Sequence, residues 1–96
     1  MMNLTLIDDH DVKQAFASYL WQKRKSAKLS RQALSDISGV PAPTIKKFET
    51  TGEISLRQFL KLWLSLDDLK RLYNLTKPNM DKPAPRSIDE VLNERF

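Results

Sequence analysis

Thr44, Lys46 and Lys47 follow closely on Ala42 and Pro43, and Ser30, Arg31 and Gln32 stand a short way upstream. The chemistry these side chains offer is non-covalent. A lysine ammonium reaches a phosphate or a guanine edge, a threonine hydroxyl donates to either, and Ala42 or Pro43 can touch a thymine methyl. If Ser30 caps a helix, the free N–H groups beside Arg31 and Gln32 and the helix dipole favour a phosphate as well. Two lysines alone fit an ordinary solvated helix face, and Ser30 fits simple capping. The surroundings weigh the other way. From Lys13 to Lys47 there are eight bases (positions 13, 23, 24, 25, 28, 31, 46 and 47) against Asp36, so this window carries +7 where the whole chain carries +4. Such a stripe is the electrostatic footprint of a nucleic-acid surface. The 42–47 stretch has no Arg, Asn or Gln for bidentate base reading, so a modest, partly shape-read base code is expected. Lys23, Lys25 and Lys28 serve equally well as contacts to the flanking backbone or as charges answering a helix dipole.

Arg24 and Glu49 form a second constellation. Val12, Phe16 and Leu20 are four apart and Arg24 is the next step, while Glu49 lies four after Ile45 and next to Phe48. Both charges therefore sit at inward edges of helical patterns, where each requires a partner. A partly buried Arg24–Glu49 ion pair is expected; two side chains snorkelling to water are the alternative. His10 stands among Asp8, Asp9 and Asp11, but neighbouring residues cannot all point at one ion, and helix capping accounts for the acids. No metal or other cofactor is expected. No Ser/His/Asp set, phosphate-cradling glycine loop or paired-carboxylate geometry is present, so no enzymatic activity is expected.

The elements that position these residues read as helices throughout. A chain of 96 residues with 41% hydrophobic residues, two glycines and no cysteine describes one small all-α domain. The lack of cysteine removes disulfides and thiolate ligands and fits a reducing cytoplasm. No stretch approaches the roughly 20 apolar residues of a membrane span, and MMNLTLIDDHD lacks a basic-then-apolar leader. Residues 1–10 read as an N-terminal arm, 11–75 as the folded unit and 76–96 as a tail. The first helix is expected from a cap at Asp9 or Asp11 to about Ala27. The second is capped by Ser30, with Ala33, Leu34 and Ile37 inward, and is stopped by Gly39. The third starts at Pro43, which pushes Ala42 out of the α region, and ends at Gly52. The fourth opens on a Ser55/Gln58 capping box, and Asp67 or Asp68 caps a short fifth through about Tyr73. Trp21 and Trp63 are expected as core or interface aromatics.

Two short helices around a tight turn at Gly39-Val40-Pro41 are the layout of a helix-turn-helix, whose second helix can enter a major groove. Residues 23–69 resemble the phage-repressor-like (XRE or Cro-type) helix-turn-helix family. The matching pieces are Arg24 and Glu49, Leu29-Ser30, Ala33-Leu34, Gly39-Val40, Thr44-Ile45 and the Leu-rich fourth helix before Ser65-Leu66-Asp67. The resemblance implies a five-helix lambda-repressor-like domain. It implies a phosphate contact for Arg31 and recognition-helix positions for Ala42, Pro43, Thr44, Lys46 and Lys47. Pro41 and Pro43 depart from the family's pattern, which usually has Ser or Thr at the first and a polar reader at the second. At finer scale the FETTG segment, apolar fourth helix and linear tail are similar to HipB-like antitoxins, which repress their own operon and bind a HipA-like kinase toxin.

Helix 4 is apolar over most of its circumference, a surplus that predicts a homodimer through Leu62, Leu64, Leu66 and Tyr73. A two-fold dimer implies a palindromic operator in double-stranded DNA. The tail combines a Pro-rich linker with a capped run, Ile88, Val91, Leu92 and Phe96, too short to fold alone, which is expected to bind the partner protein. Two other readings stand beside an autoregulating antitoxin. One is a stand-alone phage or host regulator without a toxin, the other a protein-interaction module with a basic docking face.

Overall fold

The computed structural model describes residues 6–78. The tail residues Ile88, Val91, Leu92 and Phe96, and residues 1–5 of the N-terminal arm, lie outside the described residues. All regular structure among the described residues is helical: α1 Asp9–Ser26, α2 Arg31–Ser38, α3 Ala42–Thr51, α4 Leu56–Leu66 and α5 Leu69–Asn74. No helix among them is long and apolar enough to cross a membrane.

The cap of α1 precedes both expected positions, Asp9 by one residue and Asp11 by three. Asp8 is the cap: its carboxylate accepts the Asp11 N–H at 2.9 Å, and the Asp11 carboxylate accepts the Asp8 N–H at 3.1 Å. This reciprocal box satisfies two otherwise free donors. The Asp11 N–H also holds the Asp8 carboxyl below the usual carboxylate range. Ala17, Leu20 and Arg24 are buried on α1, but Val12 is 43% exposed. Four-residue steps overshoot a 3.6-residue turn by about 40° each, so a stripe centred on Leu20 has wound to the helix edge by Val12. At the other end Lys28 adopts a left-handed φ of 59°. The Lys28 and Leu29 N–H groups bond back to the Lys25 and Arg24 carbonyls at 2.9 and 3.1 Å, a Schellman closure that turns the chain into α2.

Ser30 caps α2 by accepting the Ala33 N–H at 3.0 Å, and Gly39 ends it at φ 80°. Leu34 is buried, whereas Ile37, expected inward, is 60% exposed. The interior at the end of this short helix is filled by Val40, which is fully buried in the turn. The expected start of α3 also needs correction, because Ala42 is its first residue and Pro43 lies inside the first turn. First-turn N–H groups have no helical partner, so a proline there removes no bond, and the Ile45 N–H closes onto the Pro41 carbonyl at 3.0 Å.

Ser55 caps α4 through the Gln58 N–H at 3.1 Å, but the Gln58 side chain meets the Ser55 hydroxyl rather than completing a box. Phe59, Leu62 and Trp63 face the core with Leu34, Val40, Ile45 and Phe48. Edge-on aromatic pairs at 5.1 Å (Phe16–Phe59) and 6.0 Å (Phe48–Phe59) join α1, α3 and α4. Leu62, expected at a dimer interface, is 1% exposed; it shares the inward face of α4 with Phe59 and is spent on the monomer's own core. Leu66 is half-buried against that core.

Candidate nucleic-acid interface

Helices α2 and α3 meet across Gly39, Val40 and Pro41, an arrangement compatible with a helix-turn-helix. Their relative position is fixed from behind by Glu49. One of its oxygens accepts Arg24 Nε at 2.7 Å, and the other accepts Arg24 Nη2 and Arg31 Nε, both at 2.9 Å. Arg24 Nη1 donates to the Leu29 carbonyl at 2.9 Å. The Arg24 and Glu49 side chains are only 7% and 4% exposed, so a buried guanidinium with each nitrogen donating and a buried carboxylate with both oxygens accepting tie α1, the α1–α2 turn, α2 and α3 together.

The expected residues do not all arrive as free readers. Lys46 and Lys47 are exposed on α3, Pro43 is exposed, and Ala42 and Thr44 are half-buried. The Thr50 and Thr51 hydroxyls fold back onto the Lys46 and Lys47 carbonyls at 2.9 and 2.6 Å, so the side-chain donors of α3 not engaged among the described residues are the two exposed lysines and the half-buried Thr44 hydroxyl. On α2 the Ser30 hydroxyl is engaged in capping, and Gln32 Nε2 donates to Asp36 at 3.0 Å. Arg31 spends Nε on Glu49, while its side chain stays 37% exposed and directs no other hydrogen bond to the described residues. It can thus staple α2 to α3 and still offer its terminal nitrogens to a phosphate.

The charge count also tightens. Lys13 pairs with Glu53 at 3.2 Å and Asp9 at 3.7 Å, and the Glu53 carboxylate, followed by Asp9, pushes the Lys13 ammonium up from its ordinary value. With Arg24 and Arg31 committed to Glu49, the bases left without a salt bridge among the described residues are Lys23, Lys25, Lys28, Lys46 and Lys47 in that window. Pro43, Thr44 and Lys47 border a shallow cleft of about 530 Å³ closed by Ile54, Ser55 and Gln58 at the start of α4.

A scan against protein-family models returns no match, and searches of curated proteins and of solved structures return none either. The chain therefore stands on its own geometry.

Two features escaped sequence reasoning. Arg31 as a second partner of Glu49 has only the signal that a buried carboxylate accepts more than one arginine fork supplies. The other is a polar joint between α4 and α5. Tyr19 donates its hydroxyl to Asp67, Arg71 Nη1 donates to both Tyr19 and Asp67, and the Asp67 carboxylate also receives the Asp68 N–H. The Tyr19 hydroxyl, then the Asp68 N–H and the Arg71 charge, hold the Asp67 carboxyl below the usual range. Trp63 Nε1 donates to the Asp68 carbonyl at 3.0 Å in the same joint. On the outer side of α4, Leu56, Leu60 and Leu64 form an apolar stripe with Leu69, bordered by Arg57 and Lys61, and Tyr73 and Leu75 are exposed beyond it. No group of His, Asp and Glu among the described residues has metal-holding geometry.

Proposed function

We propose that this chain is a sequence-specific DNA-binding transcriptional repressor acting as a homodimer on a palindromic operator. The observation that carries the reading is Lys46 and Lys47 exposed on α3, a helix whose opposite side is locked by the Arg24–Glu49–Arg31 network. A rigid helix with outward ammonium groups is what docking into a major groove requires. Lys46 and Lys47 contact phosphate or base edges there, with Arg31 and the start of α2 on the flanking backbone. The dimer surface in this reading is Leu64 with Leu56, Leu60, Leu69 and Tyr73, Leu66 lying at its edge, and Leu62 no longer belongs to it. At finer scale we propose a HipB-like antitoxin that represses its own operon and binds a HipA-like kinase toxin through residues 76–96. That step rests on the sequence resemblance alone.

Fluorescence anisotropy with a labelled mixed-sequence duplex, repeated across a salt series, tests the DNA reading. Affinity is expected to fall steeply as salt rises, because each neutralised phosphate releases counterions. Salt-independent binding, or none at low salt, overturns it.

A further inference from the structure

An apolar groove runs along the first half of α1. Ile7 and Val12, 65% and 43% exposed, line it with Ala15, Phe16, Tyr19 and Trp63, and its volume is about 520 Å³. It shares no residue with the apolar stripe on α4. Its only charged lining residues, Asp11 and Arg71, stand at opposite ends. Asp8 is joined to Asp11 through the capping box, and Lys23 Nζ lies 5.7 Å from the centre of the Tyr19 ring, at the Arg71 end. We infer that this groove receives the same groove of a second copy of the chain, the two α1 helices running antiparallel about a two-fold axis near Ala15.

Three observations select that occupant. The first is charge. One end carries the two carboxylates of Asp8 and Asp11, and Asp9 beside them answers Lys13. The other end carries Arg71 and Lys23 against a single acid, Asp67, which Tyr19 and Arg71 already hold. Turned end for end, each acidic end meets a basic end, whereas a parallel arrangement sets like charges together. The face is complementary to itself, as an isologous contact requires. The second is register. Asp11 and Tyr19 each lie four residues, about 6 Å, from Ala15. An axis near Ala15 that sets Asp11 against the partner's Tyr19 and Arg71 also brings Asp8 within one residue of the partner's Lys23. Ala15 itself is exposed, and its small side chain stands where two helices would approach most closely. The third is capacity. Arg71 directs only Nη1 at Tyr19 and Asp67, and the capping box uses one oxygen each of Asp8 and Asp11. Together with the α4 stripe, a second two-fold contact links dimers into tetramers or open chains. The assignment depends on neither DNA binding nor the α4 stripe.

The chain has no cysteine, so one engineered cysteine reports how near it comes to its own copy. In the full chain, Ala15→Cys is compared with Gln22→Cys, both sites being exposed on α1. The antiparallel arrangement brings the two copies of position 15 together and holds those of position 22 about 21 Å apart along the helices. Under mild oxidation the interchain disulfide of Ala15→Cys is expected to form at least about tenfold faster, reflecting a raised effective concentration. Equal rates, as a parallel pair or random collision gives, overturn the proposal. An advantage that disappears on adding Leu64→Ala belongs to the α4 stripe and overturns it as well. Charge supplies a second readout. Within Ala15→Cys, adding either Asp11→Lys or Arg71→Glu is expected to abolish the advantage, because each sets like charges together twice. Mixing these two chains is expected to restore it in the mixed disulfide, where the introduced charges face each other and the native ones do likewise. A mixture that oxidises no faster than its separate components overturns the proposal. Circular dichroism matching the parent chain establishes that each variant is folded, and Lys23→Glu replaces Arg71→Glu if it is not.

Discussion

Glu49 concentrates the consequences of a single side chain. Replacing it by alanine leaves Arg24 buried and without its carboxylate, and breaking a buried pair in this way costs on the order of 3 kcal/mol or more. Arg31→Ala removes a partner that is 37% exposed, so its effect on stability is expected at or below about 1 kcal/mol. Urea unfolding of the two variants measures both; equal losses would contradict the division of roles. The joint at Asp67 makes a pH prediction. Its carboxyl titrates lower in the folded chain than in the unfolded one, first through the Tyr19 hydroxyl. The stabilisation is therefore fully present above the unfolded value, near 3.8, and is lost as pH falls through the lowered folded value. Tyr19→Phe is expected to destabilise at pH 7 and to lose that deficit progressively as pH falls below about 3.8. A deficit that stays constant across this range contradicts the assignment. The Arg24–Glu49 pairing was legible in the sequence because two independent helical registers each pointed a charge inward. Arg31 was not, since its contact depends on the angle between α2 and α3, which no local pattern encodes.

Part of the caps and stops was readable for a related reason, since Ser30, Ser55, Gly39 and Gly52 act within their own turn, whereas the α1 cap and the start of α3 were misplaced. What periodicity does not show is which neighbour covers a given helix face, and that is where Val12, Ile37 and Leu62 were misplaced. The two glycines allow a direct comparison. Both have left-handed φ, but a Cβ at Gly52 would lie 3.0 Å from Lys13 Cβ, whereas one at Gly39 meets nothing within 4 Å. Gly39→Ala is expected to cost about 1–2 kcal/mol from backbone strain alone, and Gly52→Ala distinctly more, because α3 must shift from α1. Thermal melts that rank them in the reverse order would show that this contact is soft. On α4, Leu62→Ala is expected to destabilise by about 2–5 kcal/mol by opening a core cavity. Leu64, 61% exposed, is expected on truncation to leave chemical unfolding nearly unchanged and to weaken self-association. Sedimentation equilibrium at micromolar concentration reads the second effect; undiminished dimer in Leu64→Ala removes this stripe from the interface.

At the scale of the whole molecule, the exposed lysines of α3 and the apolar stripe of α4 lie on different helices. A repressor dimer would present two copies of α3 about one DNA turn, roughly 34 Å, apart. Selection of binding sites from a random duplex pool tests this most directly, with the parent chain run beside the Lys46→Ala, Lys47→Ala double variant. Both side chains are exposed, so the variant is expected to melt with the parent. The parent is expected to enrich a two-fold-symmetric sequence with half-sites one turn apart, and the variant to lose that enrichment. A parent chain that enriches no sequence at low salt, or a variant that enriches the same one equally well, contradicts DNA recognition by α3.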